Sequence, residues 1–416
     1  MELSFSLALV GKQKYSLTET LILKVLGKMN KGRLTLTMPN GDVLRFGNTI
    51  YEVSANMTIS NANFFKRCLL YGDIGFAESY VAGEWDTNNI HNVISWFILN
   101  NDTNPAITGT KIKVSFTNIL KLFNRVSHIN RNNTLDGSKE NISEHYDLGN
   151  DFYKLFLDKT MTYSSAIFSK PKMTLEEAQI EKYDRLCRLL KLKSTDHVLE
   201  IGSGWGGFAA HAAKNYSCKI TTVTISQEQF NYAKARFEKE GVADKVKILL
   251  EDYRNIVGKF DKIVSIEMLE AVGHEYIPTY FKKCNEVLKD NGLIALQVIT
   301  SPDKRYNEIR KSVDFIQKHI FPGSLLPSVA RINECVNKNS DLNLYDIKDI
   351  GIDYADTLKL WYNDFMNKKE EVKELGMSET FIRKWKYYLQ YCEAAFRMRN
   401  ISTMQLVYTR PNNHNF

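Results

Sequence analysis

The chain has 416 residues, of which 44% are hydrophobic and 25% are charged, a composition typical of a globular protein. This length suggests two or three domains and excludes a small disulfide scaffold, and no window approaches the roughly 18 apolar residues of a membrane span. The net charge of +7 favours an anionic partner, either nucleic acid or phospholipid headgroups.

The N-terminal third predicts a small α+β domain. Residues 33–52 alternate apolar and polar positions around Asn40-Gly41, which predicts a β-hairpin, and residues 64–86 and 92–99 read as helices. The stretch 124–143 is polar and rich in Asn and Ser, which predicts a linker. We therefore expect an N-terminal domain over residues 1–123 and a second domain over residues 144–416.

The second domain alternates strands and helices. The predicted strands are HVLEI, KITTVTI, KVKILLE, KIVSIEM and LIALQVI, and MQLVYTR closes the chain as a further strand. Such alternation predicts a parallel sheet with helices on both faces. Near the end, an apolar stripe predicts a helix along Phe381, Trp385, Tyr388, Cys392 and Phe396.

The segment 180–193 is amphipathic. Its predicted basic face carries Lys182, Arg185, Arg188 and Lys191, opposite Ile180, Tyr183, Cys187 and Leu190. The helix either lies in a lipid interface or covers the sheet, and its place directly before a strand favours the second alternative.

A glycine-rich loop gives the strongest local signal. In VLEIGSGWGGFAAHAA (198–213) a strand leads through Gly202, Gly204 and Gly206 into a helix. Glycines let the backbone approach a ligand at the carboxyl edge of a parallel sheet. The GxGxGG spacing and Glu200, two residues before the first glycine, favour the cation S-adenosylmethionine over a dinucleotide, which remains the alternative. Glu200 is predicted either to meet the amino-acid end of the cofactor or to order the loop.

Several motifs in order resemble the cyclopropane-fatty-acyl-phospholipid synthases, relatives of the mycolic acid methyltransferases. They are HYDLGNDFYKLFLDKTMTYSSAIF (145–168), the glycine loop, VTISQEQ (223–229), SIEMLEAVGHEYIPTYF (265–281), SVDFIQKHIFPGSLLPS (312–328) and YCEAAFRMR (391–399), with GDIGFAESYVAGEWD (72–86) in the N-terminal domain. The resemblance implies a Rossmann-like class I methyltransferase fold with a mostly parallel seven-stranded sheet. It also implies that residues 301–330 form an insert over the acyl site.

The resemblance implies a reaction as well as a fold. Members of the family transfer the methyl group of S-adenosylmethionine to a cis double bond of a phospholipid acyl chain, and loss of a proton then closes a cyclopropane ring. An alkene is a poor nucleophile, so the site must aim the methyl group, shelter a carbocation and provide a base.

The resemblance also assigns cofactor contacts outside the glycine loop. The matching positions are Tyr163 and Ser164 in MTYSSA, Thr224 and Gln229 after the second strand, and Asp252 and Tyr253 after the third. An alternative for Thr224 and Gln229 is that they only cap a helix.

In the family the base is thought to be a bicarbonate ion held by a Glu, a His, a Tyr and backbone amides. Glu270 matches the Glu and Tyr354 matches the Tyr, whereas the His is replaced by Gln297. Backbone N–H groups of Ser165 and Ile299 are expected to contribute, and Ser165 replaces the usual Cys. A Gln amide donates a hydrogen bond but does not titrate near neutral pH.

Two further residues lie near these motifs. Cys392 matches a cysteine once proposed as a catalytic nucleophile, but its place on an apolar helical stripe favours a buried structural thiol. Glu267, three residues before Glu270, either orients Glu270 or faces solvent, and it is not included in the predicted site.

The leading prediction is a cytoplasmic cyclopropane fatty acid synthase that associates peripherally with membranes, acts on phospholipid and forms a homodimer. The six cysteines show no CxxC spacing, and MELSFSLALVGK lacks the basic segment of a signal peptide. Alternatives are a lipid methyltransferase that makes a methyl or methylene branch, a small-molecule methyltransferase, and a non-catalytic lipid-surface protein. The basic residues are scattered along the chain, so nucleic-acid binding is not predicted. The histidines have no ligand spacing, so no metal site is predicted.

Overall fold

The structure is a computed structural model that describes residues 15–100 and 148–413. The chain divides into two compact units between Leu122 and Phe123. The predicted linker, residues 124–143, lies outside the described residues.

The first unit combines a four-stranded sheet with helices. Its elements are α1 (Leu17–Leu26), β1 (Arg33–Thr37), β2 (Val43–Gly47), β3 (Ser54–Ile59), α2 (Asn63–Val81), β4 (Trp85–Asp86) and α3 (Ile90–Leu99), and the strand order is β2-β1-β3-β4. Strands β1 and β2 pair antiparallel, and Gly41 in their turn has φ +87°, a conformation that glycine adopts readily. The predicted hairpin is therefore confirmed, although it ends at Gly47.

The second unit contains the α/β fold. Its elements are α4 (Asn150–Lys154), α5 (Leu175–Leu189), β5 (His197–Ile201), α6 (Gly207–Tyr216), β6 (Lys219–Thr224), α7 (Gln227–Lys239), β7 (Val246–Leu250), β8 (Phe260–Ile266), α8 (Ile277–Val287), β9 (Leu288–Thr300), α9 (Asp303–Ile309), α10 (Phe315–His319), α11 (Val329–Asn339), β10 (Asn343–Asp349), α12 (Gly351–Asn367), α13 (Lys369–Glu374), α14 (Glu379–Arg397) and β11 (Ser402–Thr409).

The sheet of the second unit has seven strands in the order β10-β11-β9-β8-β5-β6-β7. Strands β5 to β9 are parallel, and β11 pairs antiparallel with both β9 and β10. This confirms the predicted Rossmann-like, mostly parallel seven-stranded sheet. Connections leave β5 and β8 in opposite directions, so the carboxyl ends of these two strands form the switch point at which open α/β sheets bind ligands.

Helices cover both faces of this sheet. One buried layer joins the strands to α8 and α11 through Tyr280, Phe281 and Ile332. The other joins them to α5, α6 and α7, with Leu186, Phe208 and Phe237 among its members.

Helix α5 covers the sheet and does not stand apart as an interfacial helix. This was the favoured of the two placements predicted for residues 180–193. Its buried face contains Lys182, Tyr183 and Cys187, whereas Ile180 is exposed. The prediction that Lys182 lies on a basic face opposite an apolar Ile180 was therefore wrong, because the buried face of the helix is rotated toward Lys182. Within the described residues no helix is both long enough and apolar enough to cross a membrane.

Candidate active site

The glycine loop joins β5 to α6 at the switch point. The amide N–H groups of Gly202 and Ser203 donate to the carbonyl oxygen of Val223 at 3.0 and 2.9 Å, which fixes the loop on β6. Gly206 has φ +83°, and a Cβ there would lie 2.8 Å from the Phe237 ring. A Cβ on Gly204 would meet nothing within 4 Å. The loop is thus packed on one side and has room on the other.

Glu200 is a buried β5 residue whose partner is on the neighbouring strand. Thr222 lies directly opposite it in register and donates its hydroxyl to Oε2 of Glu200 at 2.5 Å. Burial raises the pKa of Glu200 to about 8, and the bond from Thr222 opposes this change. Glu200 thereby forms part of the floor beneath the glycine loop.

The turn after β6 brings Thr224 and Gln229 together. The Thr224 hydroxyl donates to Oε1 of Gln229 at 3.0 Å and accepts the Ser226 amide N–H at 3.1 Å. Ser226 caps α7 by accepting the Gln229 amide N–H. Both predicted residues are buried, so the turn is ordered at the carboxyl edge of β6.

Asp252 and Tyr253 follow β7 at the same edge. Arg254, which the sequence reasoning did not include, donates to both carboxylate oxygens of Asp252 at 2.8 and 2.7 Å. The Tyr253 ring packs edge-on against Tyr280 with centroids 5.4 Å apart. These contacts hold the acidic residue and the aromatic ring in place beside the sheet edge.

Tyr163 lies in an aromatic cluster contributed by several helices. Its ring centroid is 5.2 Å from that of Trp361 and 5.4 Å from that of Tyr153, and its hydroxyl is 2.8 Å from the Tyr388 hydroxyl. Phe321, within the predicted acyl-site insert, also packs on this ring. The cluster gives this part of the site an aromatic wall.

Ser164 contacts a lysine that lies inside the protein. Lys182 on α5 has no exposed surface, and its Nζ donates to Oγ of Ser164 at 2.7 Å. Burial lowers the pKa of Lys182, and the nearby negative charges of Glu267 and Asp158 oppose this shift.

Glu267 lies at the centre of the polar site and is the main residue that sequence reasoning missed. Its Oε1 accepts the Ser165 amide N–H at 2.9 Å and Nε2 of Gln297 at 2.9 Å. Its Oε2 accepts the Tyr354 hydroxyl at 2.9 Å. Three predicted site residues from three parts of the chain therefore converge on a carboxylate that was not predicted.

A chain of side-chain bonds orients the Gln297 amide. Arg185 donates to Oε1 of Gln405 at 2.7 Å, so the Gln405 amide nitrogen faces Gln297 and donates to its Oε1 at 2.9 Å. The Gln297 nitrogen is then directed to Oε1 of Glu267 and to the Ser165 carbonyl oxygen. An arginine, which only donates, thus fixes the direction of every bond in the chain.

Glu270 occupies a different position from Glu267. Its Oε1 accepts the Ile299 amide N–H, whereas its Oε2 is buried without a hydrogen-bond partner among the described residues. Burial and the charge of Glu267 raise the pKa of Glu270 to about 8. Burial also raises the pKa of Glu267, but bonds from Gln297, Ser165 and Tyr354 and the charge of Lys182 oppose the shift. The geometry therefore favours negative charge on Glu267 and a proton on Glu270.

The residues predicted to bind bicarbonate are not arranged to hold that ion. The Ser165 amide, Gln297 and Tyr354 are the predicted donors, and all three donate to the Glu267 carboxylate instead. The fourth donor, the Ile299 amide, is bound to Glu270. A further anion at this point would meet two carboxyl groups and donors that are already in use.

Cys392 lies apart from these bonds on α14. Burial raises the pKa of its thiol well above the ordinary value. Because the thiolate is the reactive form, this environment suits a structural thiol, the role that the sequence favours for Cys392.

Comparisons with known proteins agree with this architecture. Residues 133–406 match the family model of mycolic acid cyclopropane synthetase. The chain is 36% identical to tuberculostearic acid methyltransferase UfaA1 of Mycobacterium tuberculosis, over 82% of this chain and 79% of that protein. It is 37% identical to cyclopropane-fatty-acyl-phospholipid synthase of Escherichia coli, over 86% of this chain and 88% of that protein.

A solved structure extends the match to three dimensions. The crystal structure of mycolic acid cyclopropane synthase CmaA1 complexed with SAH and CTAB is 31% identical and has a TM-score of 0.61. The match covers 65% of this chain and 98% of that one. The chain therefore belongs to the mycolic acid cyclopropane synthetase family and is an S-adenosylmethionine-dependent methyltransferase.

Proposed function

We propose that the protein alkylates a cis double bond in an acyl chain of a phospholipid and closes a cyclopropane ring. The observation that carries this proposal is the Glu267 carboxylate, which lies within a hydrogen-bonded site beside the aromatic cluster of Tyr163 and Trp361. Alkylation of an alkene creates a carbocation that must be kept from water and must lose a proton. The relative from Escherichia coli, which bears the name of this activity, also supports the proposal.

The carboxyl edge of the sheet fits S-adenosylmethionine. The glycine loop, the Thr224–Gln229 turn and the Asp252–Tyr253 segment lie at successive strand ends, and the open side of Gly204 leaves room for a ligand. When bound, the cofactor supplies an electrophilic methyl group. Tyr163 and Ser164 are proposed to contact it from the other side.

The aromatic cluster is proposed to receive the reacting part of the acyl chain. Rings of Tyr163, Trp361, Phe321 and Tyr388 exclude water and present π faces to a developing cation. A cation–π contact is worth about 2 kcal/mol when desolvated. The proton released on ring closure is not routed through bicarbonate, because the residues present do not fit that ion.

Reaching an acyl double bond requires contact with a lipid surface. We propose peripheral docking, supported by the net charge of +7 and by exposed apolar side chains in the first unit, among them Leu17, Val43 and Ile50. Each basic residue near an anionic surface contributes roughly 1 kcal/mol. The homodimer stays a prediction that light scattering tests.

A methyl-branched or methylene-branched acyl chain is the second candidate product. It is favoured by the relative named tuberculostearic acid methyltransferase, which is 36% identical. The cyclopropane and the branched chain require the same cofactor and the same lipid. The two products differ in how the carbocation loses its proton.

One experiment separates these outcomes. The purified protein is incubated with S-adenosylmethionine and vesicles of a cis-monounsaturated phospholipid, and the fatty acids are analysed by mass spectrometry with and without ozone. A gain of one CH2 that resists ozone supports the ring, and the same gain destroyed by ozone supports a methylene branch. A gain with added hydrogens supports a saturated methyl branch. No gain while the cofactor binds would reject a phospholipid acceptor.

A further inference from the structure

The Glu267 carboxylate occupies the position to which the site's hydrogen-bond donors point. Its two oxygens accept from the Ser165 amide N–H, the Gln297 amide and the Tyr354 hydroxyl, each at 2.9 Å. The donors come from the segment before α5, from β9 and from α12. Such convergence is the arrangement expected around a functional anion, and here the anion is part of the chain.

The backbone at Glu267 supports a functional reason for this residue. Its φ is +50°, in the left-handed region that glycine adopts without cost and that other residues rarely adopt. The amide N–H of Glu267 donates to the Gln297 carbonyl oxygen at 2.7 Å, so the sheet itself imposes this conformation. Strained backbone of this kind concentrates at functional sites.

Glu267 also lies beside the cofactor loop. It directly follows β8, and a Cβ on Gly202 would lie 3.2 Å from Cγ of the next residue, Met268. Glu267 is partly buried, whereas Glu270 is buried. Glu267 therefore lies in the segment that packs against the cofactor loop.

We infer that Glu267 is the proton acceptor of the alkylation reaction and replaces the bicarbonate ion expected at this site, an inference that rests on the proposed function. The π electrons of the double bond form the new bond to the methyl carbon, while the carbon–sulfur electron pair returns to sulfur. The cation then loses a proton from the transferred methyl group to a Glu267 oxygen. The electron pair of the broken C–H bond forms the carbon–carbon bond that closes the ring. The products are the cyclopropane, S-adenosylhomocysteine and protonated Glu267.

Glu270 is less suited to this role than Glu267. Ionised Glu267 receives three hydrogen bonds from protein donors, whereas Glu270 receives one, from the Ile299 amide. Lys182 lies close enough to Glu267 to stabilise its negative charge. Gln297 and Tyr354 act as positioning residues that hold the Glu267 carboxylate.

The test is Glu267→Gly in the full-length protein, assayed with phospholipid vesicles in buffer freed of carbon dioxide and again with added bicarbonate. Glycine suits the backbone at this position and leaves the three donors around an empty space. We expect wild-type activity to be independent of bicarbonate. The variant should lose about 10²-fold or more, the usual contribution of a general base, and recover substantially when bicarbonate is added.

Two variants serve as controls. Glu267→Gln keeps the shape of the side chain, so it should lose activity without rescue by bicarbonate. Glu275→Gln changes an exposed carboxylate in the same segment and should behave as wild type. Wild-type activity that requires bicarbonate, or full activity of Glu267→Gly without it, would overturn the inference.

A binding measurement decides the inference even if the vesicles yield no product and the proposed function fails. The NMR signal of ¹³C-bicarbonate should broaden with Glu267→Gly and not with wild type. Broadening by the wild-type protein that Tyr354→Phe abolishes would place bicarbonate at this site and refute the inference. Absence of broadening with a folded Glu267→Gly, judged by circular dichroism, would refute it as well.

Discussion

Gln405 and Gln297 face each other on adjacent antiparallel strands, and Nε2 of Gln405 lies 2.9 Å from Oε1 of Gln297. Because Arg185 holds the oxygen of Gln405, the Gln405 nitrogen has to point toward Gln297. The consequence is that Gln297 offers its own nitrogen, not its oxygen, to Glu267. The Glu267 carboxylate is thus connected to Arg185 by three successive hydrogen bonds, with Gln405 and Gln297 between them.

Replacing Gln405 by Met should therefore impair the site from a distance. The Gln297 amide becomes free to rotate and loses its fixed bond to Glu267. A hydrogen bond to a charged group contributes about 1.5–3 kcal/mol, so we expect kcat to fall about tenfold or more while the Kd for S-adenosylmethionine is unchanged. Steady-state kinetics and calorimetry measure the two quantities. Thr403→Val is the matched control, because Thr403 is equally buried on β11 and its hydroxyl has no partner among the described residues. An equal loss in this control would contradict the relay.

Replacing Tyr354 by Phe should move the acidic limb of the pH–rate profile to higher pH. The Tyr354 hydroxyl stabilises ionised Glu267 and so lowers its pKa; without the hydroxyl this pKa rises. Because ionised Glu267 is the inferred proton acceptor, activity should fall near neutral pH and recover as pH increases. Lys182 and Glu270, which also interact electrostatically with Glu267, stay unchanged. Tyr362→Phe on the same helix is the control. A uniform loss at every pH would instead indicate a purely structural role for Tyr354.

Two alanine substitutions in the glycine loop should have different effects. Both positions have positive φ, which costs a non-glycine residue about 1–2 kcal/mol. At Gly206 the new methyl group would also lie 2.8 Å from Phe237 and 3.0 Å from Ala233, so Gly206→Ala should lower the thermal midpoint further than Gly204→Ala. Gly204→Ala, which projects into open space, should mainly weaken S-adenosylmethionine binding in calorimetry. Equal loss of stability with normal binding in both variants would refute the placement of the cofactor.

Glu200 should make the protein less stable as pH rises from about 5 to about 8. Burial raises its folded-state pKa from 4.5 to about 8, so between these values the folded protein holds a proton that the unfolded chain has released. This stabilisation is complete below the unfolded pKa and is lost as pH rises through the folded pKa, at about 1.4 kcal/mol per pH unit. Glu200→Gln should flatten the pH dependence of the thermal midpoint. Glu238→Gln, at an exposed position on α7, should leave it unchanged.

The sequence allowed most of the sheet to be predicted, because strands buried on both faces read as short apolar runs. Strand β10 was not predicted, because it has no such apolar run. It is an edge strand whose residues are mostly exposed, including Tyr345 and Ile347, so burial imposes no pattern on it. Its pairing with β11 depends on backbone hydrogen bonds, which leave little trace in side-chain type.

The candidate site was predicted only in part, because its centre depends on contacts between distant segments. Glu267 meets Ser165 from 102 positions earlier in the chain and Tyr354 from 87 positions later, and no local pattern encodes those contacts. A usable signal did exist. The chain departs from the family's His at Gln297 and carries a carboxylate at Glu267, and these two side chains fit each other as donor and acceptor. Lys182 was predicted to lie on an exposed basic face, because a long cationic side chain near the edge of an apolar stripe is usually in contact with solvent. In the structure it is buried.

The left-handed backbone at Glu267 has an evolutionary consequence. Glutamate and glycine codons differ by a single nucleotide, and glycine suits this conformation better than glutamate does. Under the inference that Glu267 is the base, one base change would exchange an enzyme that carries its own base for one that needs an anion from solution. The reaction rate of the glutamate form would then be independent of the supply of dissolved carbon dioxide.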